Sequence, residues 1–218
     1  MKRTAVYIHE LSVGEKPLGI PYFRSEPGSH SYVNLREQPE KIDLLPELSN
    51  CAPLRDLVIA LNTPTGPFET FGCKSWMQPW TNEAFPGYSC RQGSYVDFPL
   101  VNREAGAKQR PYLELVEGFR RYAEVHRVYD VMHVGFELRP TVSDNASWWT
   151  MGVWIYGIGR DEAEATRWWQ EVLMGIAIRL FLVIDAFSQF SGTPLACSAD
   201  LSICLAKQLL DSIATASG

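Results

Sequence analysis

Residues 128–158 read VYDVMHVGFELRPTVSDNASWWTMGVWIYGI, and their alternation decides the fold class. Two apolar runs, 128–139 and 148–158, flank the polar stretch TVSDNAS. Strands of this kind, separated by turn formers, predict an antiparallel hairpin. On the first strand Met132, Val134, Phe136 and Leu138 share one face, which should meet a core. Tyr129, Val131, His133, Gly135, Glu137 and Arg139 share the other. With the loop centred near Asp144, Gly135 would lie beside Gly152, Glu137 beside Thr150, and His133 beside Trp154. A slip of one residue would turn every side chain to the opposite face.

Working outward, residues 161–190 predict a long helix. Asp161 and Glu164 stand at N-cap and N3 spacing, resembling a capping box, and acids in a first turn favour the helix dipole. Ser-Gly-Thr-Pro at 191–194 ends it, and a last helix is expected over about 199–214. Upstream, Pro111 opens a helix over 111–126 with Leu115, Phe119, Tyr122 and His126 on one stripe. Residues 4–11, 67–77 and 94–101 read as strands, and Pro99 places the last near its end or at an edge. Residues 54–61 are a short apolar run, helix or strand. Residues 14–53 are rich in Gly, Pro, Ser and charge, an irregular arm that either wraps the core or forms a binding surface. The expectation is one α+β domain over 1–218, a mostly antiparallel sheet with helices packed on it.

The chain has 218 residues, 25 acidic and 20 basic, for a formal net charge of −5, and 46% are hydrophobic. That composition is globular. A mildly acidic chain argues against binding nucleic acid or anionic membrane non-specifically. Residues 1–129 balance in charge, so the acidic excess lies in 130–218. The most apolar stretch, Val172–Phe187, contains Arg179 and Asp185 and is shorter than a membrane span. The apolar run after Met1 is interrupted by His9 and Glu10, which does not suit a signal peptide. The five cysteines form no Cys-x-x-Cys pair, as expected for reduced thiols. Together these predict a soluble cytoplasmic protein.

No motif specifies a reaction. His9, His30, His126 and His133 have no zinc-site spacing, and no phosphate-binding glycine fingerprint occurs. Gly157-Ile158-Gly159 precedes a helix, but acids fill the first turn, so it reads as a tight turn. Cys73 as nucleophile with His133 as base would need a proximity that nothing in the sequence supplies. No metal and no cofactor are expected, and the chain leans away from being an enzyme.

Two kinds of surface remain. Gly135 and Gly152 would leave a hollow ringed by His133, Glu137, Arg139, Thr150 and Trp154, suited to a small ligand or to acid–base work by His133 and Glu137. A helix carrying Trp168 or Trp169 could equally fill that hollow. Alternatively, Asp144, Asp161, Glu162 and Glu164, with an outward-facing Trp148, would form a protein contact, since tryptophans are enriched at interface hot spots. In size, acidity and its tryptophan-bearing hairpin followed by a long helix, the chain resembles immunity proteins of bacterial polymorphic-toxin and type VI secretion systems. That resemblance implies a cognate protein toxin, which includes basic nucleases, as partner, bound by acidic steering and aromatic anchors.

Overall fold

The computed structural model describes residues 6–19, 33–49, 51–83, 85–126, 131–143 and 146–190. The expected C-terminal helix, Asp144, and Cys197 and Cys204 lie outside the described residues. The fold is α+β. Strands β1 (Val6–Val13), β2 (Leu18–Gly19), β3 (Gly72–Pro79), β4 (Cys90–Pro99), β5 (Val131–Ser143) and β6 (Ala146–Gly159) form one mixed sheet. Its order is β1-β5-β6-β4-β3, with β2 also beside β5. The β3–β4, β4–β6 and β5–β6 pairings are antiparallel, and β1 and β2 run parallel to β5. The helices are α1 (Ala52–Leu61), the single turn α2 (Arg103–Gly106), α3 (Arg110–His126) and α4 (Glu162–Phe190).

The hairpin forms as its alternation requires, with one change of register. Gly135 pairs with Trp154, Glu137 with Gly152, Arg139 with Thr150 and His133 with Tyr156. The expected pairing is displaced by two residues because the ladder continues to Ser143–Ala146, further into the polar stretch than anticipated. An even displacement preserves the faces.

Val134, Phe136 and Leu138 meet Met151, Val153 and Ile155 in the core. The helices lie on this side. The 54–61 run resolves as helix because Leu54, Leu57, Val58 and Leu61 bury one stripe of α1. Tyr112, Leu115, Val116 and Phe119 do so on α3, and Ala165, Trp169, Val172, Leu173 and Ile176 on α4. The Tyr112 hydroxyl donates to the Trp149 carbonyl at 2.6 Å and accepts from the Leu100 N–H at 2.9 Å, tying α3 to two strands.

The start of α4 is capped as its sequence implies, with a modification. Asp161 Oδ1 accepts from the Glu164 N–H at 2.8 Å. The Glu164 carboxylate takes the Arg160 N–H and guanidinium, all within 3.0 Å, rather than the N-cap amide. Bonding to Arg160 pulls its pKa down to about 2.

Gly157 and Gly159 belong to β6 and form no tight turn. They are where α4 touches the sheet: a Cβ on Gly157 would lie 2.2 Å from both Ala165 O and Trp169 N. Trp169 therefore packs over Gly157, and its Nε1 donates to Ser94 at 2.9 Å. The helix does not fill a hollow at Gly135 and Gly152, which sit on the opposite face.

Of the arm, Leu35, Ile42, Leu48 and Cys51 are buried in the core, so its described part wraps the domain. Two short 3-10 turns, Pro39–Leu44 and Pro46–Leu48, carry two of them. Among the described residues no helix is long and apolar enough to cross a membrane.

Candidate functional site

The face of the sheet opposite the helices divides into two halves. At the end near the β5–β6 turn it is closed. Thr141 and Thr150 are 0% exposed and share a 2.6 Å hydrogen bond, so Thr150 does not reach a ligand. Trp148 points away from the helices as expected, yet it is only 6% exposed. Phe71 packs edge-on to it, and the Arg103 guanidinium lies 4.5 Å over its ring. Trp148 is therefore no exposed anchor.

Next along the strands is a charged group. Arg139 Nη2 donates to Asp97 Oδ1 at 2.5 Å, and Arg139 Nε lies 3.5 Å from Glu137 Oε2. Gly152 makes room for this pair, since a Cβ there would lie 2.8 Å from Asp97 Oδ1. Gly14, just after β1, rests against the side chains of Arg139 and Glu137. Arg139 and Glu137 thus serve a structural ion group, and the Gly152 side of the expected hollow is filled.

Burial lifts Asp97 from its ordinary 3.8 to about 6, with Glu137 adding to the effect and Arg139 opposing it. A folded-state value above the unfolded one contributes stability that is complete below about 3.8 and lost as pH rises through about 6. Urea midpoints should therefore fall across that window. Asp97→Asn, which keeps an acceptor for Arg139, should remove this slope; an unchanged slope would contradict the assignment.

The far half of the face is half-exposed and aromatic. Trp76 from β3, Tyr95 from β4, and Trp154 and Tyr156 from β6 form a continuous slab. Tyr95 and Trp154 have ring centroids 5.1 Å apart; Trp76 meets Trp154 at 6.2 Å and Tyr156 at 6.0 Å. The Trp76 indole lies across Gly93, whose added Cβ would be 2.6 Å from it. His133 stacks against Tyr156 at 5.0 Å, and the Arg91 guanidinium lies 4.5 Å over the same ring. Beside them Gly135 leaves a recess among the described side chains, since of these a Cβ there would meet only Trp154 Cβ, at 3.7 Å.

No family model, curated protein or solved structure matches the chain. Its site is therefore read from its own residues.

Of the expected ligand residues, His133 and Trp154 come together at the recess; Glu137, Arg139 and Thr150 do not join them. Trp76, Arg91, Tyr95 and Tyr156 are the residues that sequence reasoning missed. The signal was present: Lys74, Trp76 and Gln78, and Arg91, Gly93 and Tyr95, recur with period two. Of the expected protein-contact residues, Asp161 and Glu162 are exposed at the start of α4, while Glu164 is engaged by Arg160. Among the described residues, no group of three or more His, Cys, Asp or Glu side chains could hold a metal ion.

Cys73 packs against the core on the helix side of the sheet, and His133 is on the other side. Burial, with Glu47, Cys51 and Asp97 adding to it, pushes the Cys73 thiol up to about 12. It is no activated nucleophile.

Proposed function

We propose that this chain is a non-enzymatic binding protein whose contact surface is the aromatic half of the sheet face, around Trp154 and Tyr156. The observation that supports this is the slab itself. Four half-exposed rings, an imidazole and a guanidinium gather on the half of this face that no described helix covers, beside a recess at Gly135. Large rings in the half-open state lose apolar hydration when a flat or apolar surface lands on them.

Acid–base turnover fits less well. His133 and Glu137 are four residues apart on one strand, about 13 Å along it, and so do not converge on one atom.

A small ligand is the favoured occupant because the recess is bounded by His133, Trp154 and Tyr156 in a compact area. The test is a panel of neutral aromatic fragments followed by NMR on the labelled protein. Shifts should cluster at the indole signals of Trp76 and Trp154 and at the His133 ring. Trp154→Ala should weaken binding about tenfold, as expected for losing one stacking partner. Shifts elsewhere, or full binding by the variant, would overturn the proposal.

The toxin-neutralising role implied by the resemblance is kept as a second reading. It is favoured by the same cluster, because Trp, Tyr and Arg make interface hot spots, and by the exposed Asp161 and Glu162. Coexpression with the product of the adjacent gene tests it: protection of the host that is lost in Trp154→Ala supports it, and absence of protection removes it.

A further inference from the structure

We infer that the aromatic face takes a flat heteroaromatic ring carrying a single phosphate, as in a nucleoside monophosphate, with Arg91 anchoring the anion. The inference rests on the binding role proposed above and adds the ligand class.

The charges on this face are the starting point. Arg139 is matched by Asp97 and Glu137 in the closed half. Arg91 makes no ion pair with any described residue; its guanidinium lies over the Tyr156 ring, 4.5 Å from the centroid. Its Nε is shut from solvent and has no acceptor among the described residues. Lys74, exposed on the same face of β3 and opposite Tyr95, likewise makes no ion pair there. Among the described side chains, the aromatic half therefore carries two cations without an acidic partner, in a chain that is acidic as a whole.

A guanidinium placed over a ring can still direct N–H groups to two oxygens of one anion, the pairing in which arginine binds phosphate. Tyr95 and Trp154, tilted by 36° at 5.1 Å, supply ring area on which a base can stack.

The spacing connects the two features. A ring over Trp154 and the Gly135 recess sits one residue pair from the Tyr156 level, about 7 Å along the strands. A ribose spans such a gap and delivers its phosphate to Arg91. One guanidinium without an acidic partner among the described residues suits one phosphate; Lys74 stands opposite Tyr95, about 13 Å along the strands from Arg91. A nucleic acid strand would bring a row of phosphates to a protein with net charge −5, and its affinity depends on many such contacts.

The full chain is titrated, by calorimetry and tryptophan fluorescence, with adenosine monophosphate, adenosine and inorganic phosphate. The monophosphate should bind about tenfold or more tighter than adenosine, the value of a charge-assisted contact. Arg91→Gln should bring the monophosphate down to the adenosine level. Arg91→Lys, which keeps the charge without the fork, should fall between. Trp154→Leu should weaken both nucleosides. Equal binding of monophosphate and adenosine by the wild type, or an unchanged ratio in Arg91→Gln, would overturn the inference. If neutral fragments still bind at Trp154 in that case, the binding face stands and only the ligand class falls; if nothing binds there, both fall.

Discussion

Gly157→Ala is expected to be, with Gly159→Ala, among the costliest single methyl additions to this sheet. The new Cβ would occupy the space of two backbone atoms of α4, Ala165 O and Trp169 N, each 2.2 Å away. Neither can swing aside as a side-chain tip would. Relief requires the helix to lift from the sheet, which withdraws Trp169, Val172 and Leu173 from the core and stretches the bond from Trp169 Nε1 to Ser94. Overpacking of a well-filled interior costs roughly 1–3 kcal/mol, and a clash with fixed backbone belongs at or above the upper end. The same substitution at Gly135 is the control. Its Cβ would meet Trp154 at an ordinary 3.7 Å, so a change within about 0.5 kcal/mol is expected. Urea unfolding followed by far-UV circular dichroism compares the two. Similar losses in both variants would mean that α4 does not rest on Gly157.

Arg36→Met is expected to loosen the connection between α1 and β3. Arg36 Nη1 donates to the carbonyls of Thr63 and Gly66 at 2.8 Å and of Phe68 at 2.9 Å, and Nη2 donates to Pro64. One side chain from the arm therefore organises a loop that has few bonds of its own. Beside it, the buried Asn62 exchanges hydrogen bonds with Thr70, through the Thr70 N–H at 3.0 Å and its hydroxyl at 2.7 Å. Methionine keeps most of the aliphatic stem and removes every donor. With water able to reach some of the released carbonyls, the loss should be roughly 2–4 kcal/mol. Arg36→Lys should recover only part of it, since an ammonium cannot present the planar fork. Limited proteolysis should then cut between residues 62 and 70. An uncut loop with unchanged stability would show that the carbonyls find other donors.

These two sites also mark where the sequence is readable and where it is not. The hairpin, α3 and α4 follow from periodicity because each buries one face, and a period survives small errors. The register of β5 on β6 could be displaced by two without consequence for the faces, since the pleat repeats every two residues. What periodicity cannot reveal is which partner covers a face. Trp148 has the pattern of an outward indole, and Phe71 and Arg103, brought in from β3's approach and from α2, bury it. Gly157 and Gly159 have the pattern of a turn, and only the arrival of α4 explains them. At the candidate site the obstacle was β4. Arg91, Gln92, Gly93 and Ser94 lack β-branched residues, so the sequence predicts a strand that begins later than Cys90. Gly93 looks like a breaker, and its reason for being there, an indole lying across it, sits on another strand. Glu137 and Arg139 were legible as neighbours, but Asp97, which fixes their role as an ion group, is about 40 residues away in sequence.

The parallel seating of β1 on β5 has a temporal consequence. Its partner, Val131–Leu138, lies 125 residues downstream of it. At bacterial or slower synthesis rates, on the order of ten seconds pass before the ribosome has made that partner. Until then β1 has both edges unsatisfied, and docking it closes a long loop, a step that weighs on folding rate. Of the described strands, β1 is therefore the one that waits longest for its partner.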